Sequence, residues 1–321
     1  MAFRLEKLRQ LWRLVRESHA TPLAGEPQKP MIAASGSAAI TFIGHSSFLL
    51  QMAGAALLID PVFATRLILL RRQRRPGVRV RDLPDIDVVL LTHAHMDHLN
   101  LPSLRAVIRE MRRRGRPVPI AVVPNNVEDL VLKLGFAKVI PLAWWQSTQA
   151  SGLAITATPA KHWGARLFKD THRGFSGYVI EAEGVSSVYH AGDTAYFHGF
   201  DEIGKRLRPE VALLPIGAYS PDSYRSVHTS PEEALQAFLD LRAATMIPMH
   251  FNTFRLGREP LDEPLPRLLA AAESAGVRQK VVPLREGETF LATPFPFRMN
   301  PVRMPEITSA DFGLSVGNSR T

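Results

Sequence analysis

Thr92-His93-Ala94-His95-Met96-Asp97-His98 places four metal-capable side chains within six positions, directly behind the apolar run Asp87-Val88-Val89-Leu90-Leu91. That run is short, β-branched and unbroken, which predicts a buried strand. Side chains alternate along an extended chain, so His93 and His95 leave the strand end on the same side. Asn100-Leu101-Pro102-Ser103 then reads as a helix start with Asn100 as its cap. Asp97 and His98 fall on the intervening turn, where they can face a second position a few ångströms from the first. Two imidazoles followed by a carboxylate and a third imidazole suit two adjacent divalent cations.

Two cations need more than four ligands, and further metal-capable groups stand at other strand ends. His162 follows the alternating stretch Leu153-Ala154-Ile155-Thr156-Ala157, Asp193 follows Ser187-Val188-Tyr189, and His250 follows Met246-Ile247-Pro248-Met249. Strand ends are rigid mounts on which a site can be assembled from distant parts of a chain.

The order His-x-His-x-Asp-His, distant His, Ala-Gly-Asp-Thr, final His resembles the metallo-β-lactamase superfamily. More narrowly, the chain resembles the phospholipase D family that hydrolyses N-acyl phosphatidylethanolamine. The stretches that carry this are Phe42-Ile43-Gly44-His45-Ser46, Ile59-Asp60-Pro61-Val62-Phe63, Thr158-Pro159-Ala160-Lys161-His162-Trp163, Leu214-Pro215-Ile216-Gly217-Ala218-Tyr219, His228-Thr229-Ser230-Pro231-Glu232-Glu233-Ala234 and His250-Phe251-Asn252-Thr253-Phe254. The resemblance implies an α/β fold, the four-layer αββα sandwich, and two divalent metal ions per chain. His93, His95 and His162 would hold one ion, Asp97, His98 and His250 the other, with Asp193 bridging them. The physical reading agrees, because three protein ligands plus a shared carboxylate leave each ion a position for a bridging hydroxide. Oxygen and nitrogen donors suit Zn2+ and also accept iron or manganese. The chain contains no cysteine, which removes both a thiolate ligand and a cysteine nucleophile.

Metal-bound imidazoles donate their free N–H to a carboxylate or carbonyl, and Asp60 is the expected partner. His228 precedes a helix start with Ser230 as cap, Pro231 at the first position and Glu233 completing a capping box. The resemblance sets His228 beside the metals, where it would steady a phosphoryl oxygen or protonate a leaving group. His228 and the ligand Asp97 are therefore the expected catalytic residues. Trp163, Tyr196 and Tyr219 flank these motifs and are the expected groove residues. His45 reads as structural, and His19, His172, His190 and His198 as surface or packing residues.

Alternating strand and helix signals predict helices at 101–114, 126–134, 231–241 and 264–275, and strands at 118–123, 153–158, 177–182, 186–190, 211–215 and 245–249. The expected organisation is a basic amphipathic segment over residues 1–30, a hydrolase domain over 31–293 and an irregular tail over 294–321. No apolar run approaches the roughly 18 residues that span a bilayer, and residues 1–20 lack the apolar stretch of a signal peptide. The expectation is a cytoplasmic protein, with peripheral contact on the inner membrane surface.

Formal net charge is +9, and it is uneven: residues 1–116 hold 19 Lys and Arg against nine Asp and Glu. The clusters Arg71-Arg72-Gln73-Arg74-Arg75 and Arg112-Arg113-Arg114 favour anionic partners. Leu5, Leu8, Trp12 and Val15 share a helical face with basic residues around it, so this helix either lies on a membrane surface or docks on its own domain. Nucleic acid is the weaker partner, since no aromatic residues interleave with the basic clusters. The expected function is a phosphodiesterase acting on N-acyl phosphatidylethanolamine-like phospholipids through the bridging hydroxide. The alternative is a lactonase, of the kind that acts on sugar phosphates, on the same metal site. Oligomeric state leaves no trace in the sequence.

Overall fold

The computed structural model describes residues 12–20, 22–34, 36–166 and 170–293. The chain runs through helix α1 (12–20), β1 (Ala38–Gly44), β2 (Ser47–Met52), β3 (Ala55–Ile59), the small hairpin β4 (Arg66–Leu67) and β5 (Leu70–Arg71), and β6 (Val88–Leu90). Then come α2 (Leu101–Arg113), β7 (Ile120–Pro124), β8 (Lys138–Leu142), β9 (Ser147–Ala150), β10 (Leu153–Thr158), β11 (Gly177–Ala182) and β12 (Val185–His190). α3 (Gly199–Leu207), β13 (Val211–Pro215), α4 (Pro231–Leu241), β14 (Thr245–Met249), α5 (Pro264–Ser274) and β15 (Thr289–Ala292) complete it.

Two mixed sheets form, in the orders β15-β1-β2-β3-β6-β7-β8 and β14-β13-β12-β11-β10-β9. The period-two alternation of the strands sorts their side chains into layers. Phe48 and Leu50 of β2, Leu57 and Ile59 of β3, and Val88 and Leu90 of β6 share one core with Ile155, Val179 and Leu213 of the other sheet. The intervening Leu49, Leu58 and Val89 point outward and join Leu104, Val107 and Met111 of α2. Helices α3, α4 and α5 cover the second sheet through Phe200, Phe238 and Leu268. Both faces of the central strands are thus apolar, as a sheet buried on each side requires. This is the expected four-layer αββα sandwich.

Capping chemistry sets the helix starts. Asn100 accepts from Ser103 N at α2, and Ser230 and Glu233 form the capping box of α4. The helix expected at 126–134 is instead two 3-10 turns, Glu128–Leu130 and Leu132–Leu134, ended by Gly135 at φ 92°. β-branched Val127 and Val131 are buried beside α2, and Asp129 is held by Arg173, so tertiary contacts outweigh a weak helical propensity here.

The basic clusters are largely engaged by partners within the fold. Arg72 is fully buried, donating to Val62 O (2.7 Å) and Arg74 O (2.7 Å). Arg74 pairs with Glu286 at 2.6 Å, Arg75 with Glu26 at 2.8 Å, and Arg113 and Arg114 both with Glu110. In α1, Leu14 and Val15 are buried while Trp12 is 59% exposed, so the inward stripe differs from the expected one. Leu5, Leu8 and the tail over 294–321 lie outside the described residues. Among the described residues, no helix is long and apolar enough to cross a membrane.

Leu58, the penultimate residue of β3, fills the layer between the first sheet and α2 and touches the apolar cluster there. Leu58→Ala is expected to lower unfolding stability by about 2–5 kcal/mol in a denaturant titration while metal content stays at the wild-type level.

Candidate metal centre

One edge of the sandwich gathers the chemistry. Asp60 follows β3, His93 to His98 follow β6, His162 follows β10, Asp193 follows β12 and His250 follows β14. β3 is parallel to β6, and β12, β13 and β14 are mutually parallel, so their carboxyl ends lie together. Backbone that reaches this point is tightly constrained. Asp60 and His250 take left-handed φ values of 43° and 62°, a conformation concentrated at functional sites in non-glycine residues. Gly192, just before Asp193, combines φ +64° with a position where a Cβ would stand 2.9 Å from Thr92 Cβ, so glycine is required.

The side chains form two groups. His93, His95, His162 and Asp193 converge in one; Asp97, His98 and His250 converge with His45 in the other. Asp193 lies 3.2 Å from His98 Nε2 through Oδ1, and 3.1 Å from His250 Nε2 and 3.8 Å from His93 Nε2 through Oδ2. It therefore stands between the groups. His228 joins at the rim, its Nδ1 3.9 Å from Asp193 Oδ2.

The donor set fits divalent cations. His95 Nδ1 lies 2.9 Å from His93 Nε2 and 3.2 Å from His162 Nε2. One ring nitrogen cannot satisfy both neighbours by hydrogen bonding. Three nitrogens at this spacing approach the edges of a tetrahedron around zinc, about 3.4 Å for bonds of ~2.0–2.1 Å. The outer ring nitrogens are spoken for: His162 Nδ1 donates to Val227 O at 2.8 Å, and His98 Nδ1 to Asp60 Oδ2 at 2.7 Å. That leaves each Nε2 with its lone pair facing inward. His98 Nε2, His250 Nε2 and Asp193 Oδ1 are buried without a hydrogen bond, although the first and last are 3.2 Å apart. Buried polar atoms left this way mark a missing partner.

Electrostatics say the same. Burial works to raise the Asp193 and Asp97 carboxyls, yet the surrounding imidazoles hold both well below the usual carboxylate range. Burial likewise opposes protonation of His98 and His250, but the carboxylates push His98 well above its ordinary value and His250 to about 9. The cluster thus favours positive charge, which cations held by these residues would supply in place of the protons. Burial and neighbouring imidazoles drive His93 well down, leaving it neutral and able to ligate.

Asp60 is the expected imidazole partner in position: fully buried, it accepts from Thr92 N (2.8 Å), Thr92 Oγ1 (2.5 Å) and His98. Trp163 is 46% exposed with its ring 4.7 Å from that of His95. Tyr196 gives its hydroxyl to Asp240, and Tyr219 is buried, bonding Glu263 beneath Arg267. Both tyrosines are therefore engaged in packing networks. His190 is fully buried, bridging Ser46 O and Gly192 N.

Two contributors had little sequence signal. Arg166 donates to Ala94 O and Leu99 O, both at 2.8 Å, and so braces both ends of the ligand loop. His45 sits in a left-handed turn between β1 and β2 (φ 62°) with Nε2 3.0 Å from Asp97 Oδ2. Its carbonyl accepts from His250 N at 2.8 Å. Its position after Gly44, next to a strand end, and its place in the Phe42–Ser46 stretch were the hints in the sequence.

A family model described as the beta-lactamase superfamily domain matches residues 56–251. The chain belongs to the metallo-β-lactamase superfamily and is a metal-dependent hydrolase of that fold. Within it, the chain is related to the N-acyl-phosphatidylethanolamine-hydrolyzing phospholipases D: it is 31% identical over 251 residues to enzyme 1 of that name from Caenorhabditis elegans, spanning 73% of this chain and 70% of the relative. It is 33% identical over 290 residues to an uncharacterized Mycobacterium tuberculosis protein, spanning 84% and 74% of the two chains. A metallo hydrolase structure from Ignicoccus hospitalis matches with TM-score 0.60 and 31% identity, covering 82% of this chain and all of that one.

Loss of the His45 tie should loosen Asp97 without removing a member of the first group. His45→Ala is expected to weaken binding of the more weakly held cation by about 10–100-fold in chelator competition, with His45→Gln partly restoring it.

Proposed function

We propose that the protein is a phosphodiesterase that hydrolyses N-acyl phosphatidylethanolamine-like phospholipids. The observation that carries this is His228. Its ring lies 5.2 Å from that of His162 and 5.4 Å from that of His250, half-buried at the mouth of the cluster, with Nδ1 lacking a hydrogen bond. It is an imidazole at the edge of both ligand groups, close enough to Asp193 and His250 to form a third cluster with them. The relationship to the Caenorhabditis elegans phospholipase supplies the substrate class.

Divalent cations in this centre supply Lewis acidity, polarising a phosphoryl oxygen and easing deprotonation of water. The chain's own residues do the rest. Asp193, set between the two groups, and Asp97 hold the anionic side of the centre. Water oxygen forms a new bond to phosphorus as the bond to the headgroup alcohol breaks, and a proton must reach the departing oxygen. Burial lowers His228 to about 4, so at neutral pH its imidazole N–H hydrogen-bonds a phosphoryl or departing oxygen from the open side, and the proton that oxygen gains is the one released by the attacking water. Val227 O fixes His162 from the same loop, so one segment positions a ligand and the donor together. Trp163 provides an apolar wall beside His95.

The test is a substrate panel on metal-loaded protein: N-acyl phosphatidylethanolamine in mixed micelles, a soluble phosphodiester and a lactone. Release of phosphatidic acid is expected, with His228→Ala lowering kcat by about 10²-fold or more at unchanged metal content. Turnover of the lactone alone would assign the centre to lactonase chemistry.

A further inference from the structure

The β4–β5 hairpin carries an unusual turn. Arg66 pairs with Arg71 and Leu67 with Leu70, leaving Ile68 and Leu69 as the two central residues. Such loops favour glycine, asparagine or aspartate, and a single positive φ at the first central position is a glycine pattern. Here Ile68 occupies it at φ 53°, a strained backbone for a β-branched side chain. The side chains gain little from the fold in return, Ile68 being 72% and Leu69 47% exposed. Two large aliphatic groups are thus held in water on a turn suited to small polar residues.

The surroundings give the tip a direction. Leu67 at its base packs with Val62 and Phe254, and the Phe254 ring lies 5.3 Å from that of His45 in the metal centre. On its other flank, Arg71 N and Gln73 Nε2 bond Ser18 Oγ and Ser18 O, tying the hairpin to α1. α1 adds the exposed Trp12, Arg13 and Arg16. Over α1 and the hairpin together, Arg13, Arg16, Arg66 and Arg71 face one acidic residue, Glu17. Exposed aliphatic and indole groups accompanied by arginines on the same two tied elements are complementary to an anionic lipid interface, where apolar groups enter the acyl boundary and guanidinium groups stay at the headgroups.

We infer that the Ile68-Leu69 tip, with Trp12 and the arginines of α1 and the hairpin, is a docking surface for an anionic bilayer. It rests on the lipid-substrate reading above only in its purpose; binding itself needs no catalysis. Docking here brings the bilayer to an element one side chain removed from the metal centre.

The experiment is co-sedimentation of full-length, metal-loaded protein with phosphatidylglycerol/phosphatidylcholine vesicles that contain no N-acyl phosphatidylethanolamine. The comparison is Ile68→Gly/Leu69→Asn, which installs residues the turn prefers and so preserves or improves folding. Wild-type protein is expected to bind anionic vesicles and to be released by salt, and the variant to bind about tenfold or more weakly. The variant should melt no lower and hydrolyse the soluble phosphodiester at the wild-type rate. Vesicle binding that is absent, or unchanged in the variant, overturns the proposal. So does a variant that loses self-association in light scattering while keeping vesicle affinity, since the occupant is then a second copy of the chain. Failure to hydrolyse N-acyl phosphatidylethanolamine in micelles alongside intact vesicle binding overturns the substrate reading and leaves the docking surface standing.

Discussion

Three carboxylates, Asp60, Asp97 and Asp193, are brought to one end of a sandwich whose interior is largely apolar. Removing ionised carboxylates from water is costly unless each is matched by charge and hydrogen bonds. The rest of the centre follows from that requirement. Asp60 is matched by Thr92 and His98 and so becomes a brace. Asp97 is matched by His45, and Asp193 faces His98 and His250. Imidazoles on both sides leave a deficit of positive charge that bound cations would offset. The layers beneath hold these groups in place: β3, β6, β12 and β14 are packed on both faces, so their ends cannot drift apart without opening the core.

Much of this was legible because its signals are local. The His-x-His-x-Asp-His spacing fits one turn between one strand and one helix, and Asn100 and Ser230 announce their helices through caps that depend on neighbours three residues away. Strands β10, β11, β13 and β14 read correctly because their apolar runs are bounded by turn residues. His162, Asp193 and His250 share no local pattern with one another; their common place at strand ends and the resemblance to the superfamily's ligand order linked them.

What stayed hidden depends on contacts across the chain. Helix α3 contains Gly199 and Gly204, which weaken any helical reading, yet Gly204 is required because a Cβ there would meet Leu241 O at 2.6 Å. Strands β8 and β9 are largely exposed and carry little alternation. His45 owes its role to Asp97, 52 residues away. The arginine run at 71–75 reads as a solvent-facing patch until Arg72 is seen buried and Arg74 and Arg75 paired with Glu286 and Glu26, partners far off in sequence. Tyr196 and Tyr219 flank ligand motifs in sequence, but their hydroxyls are taken by Asp240 and Glu263.

The central proposal is that the carboxylates and imidazoles form one centre for two cations. Calorimetric titration of metal-stripped, folded protein with zinc, repeated in buffers of different ionisation enthalpy, tests it most directly. The account predicts two equivalents bound per chain with net proton release, as His98 and His250 give up protons held by the carboxylates. Saturation at one equivalent or fewer, or binding without proton release, would contradict it.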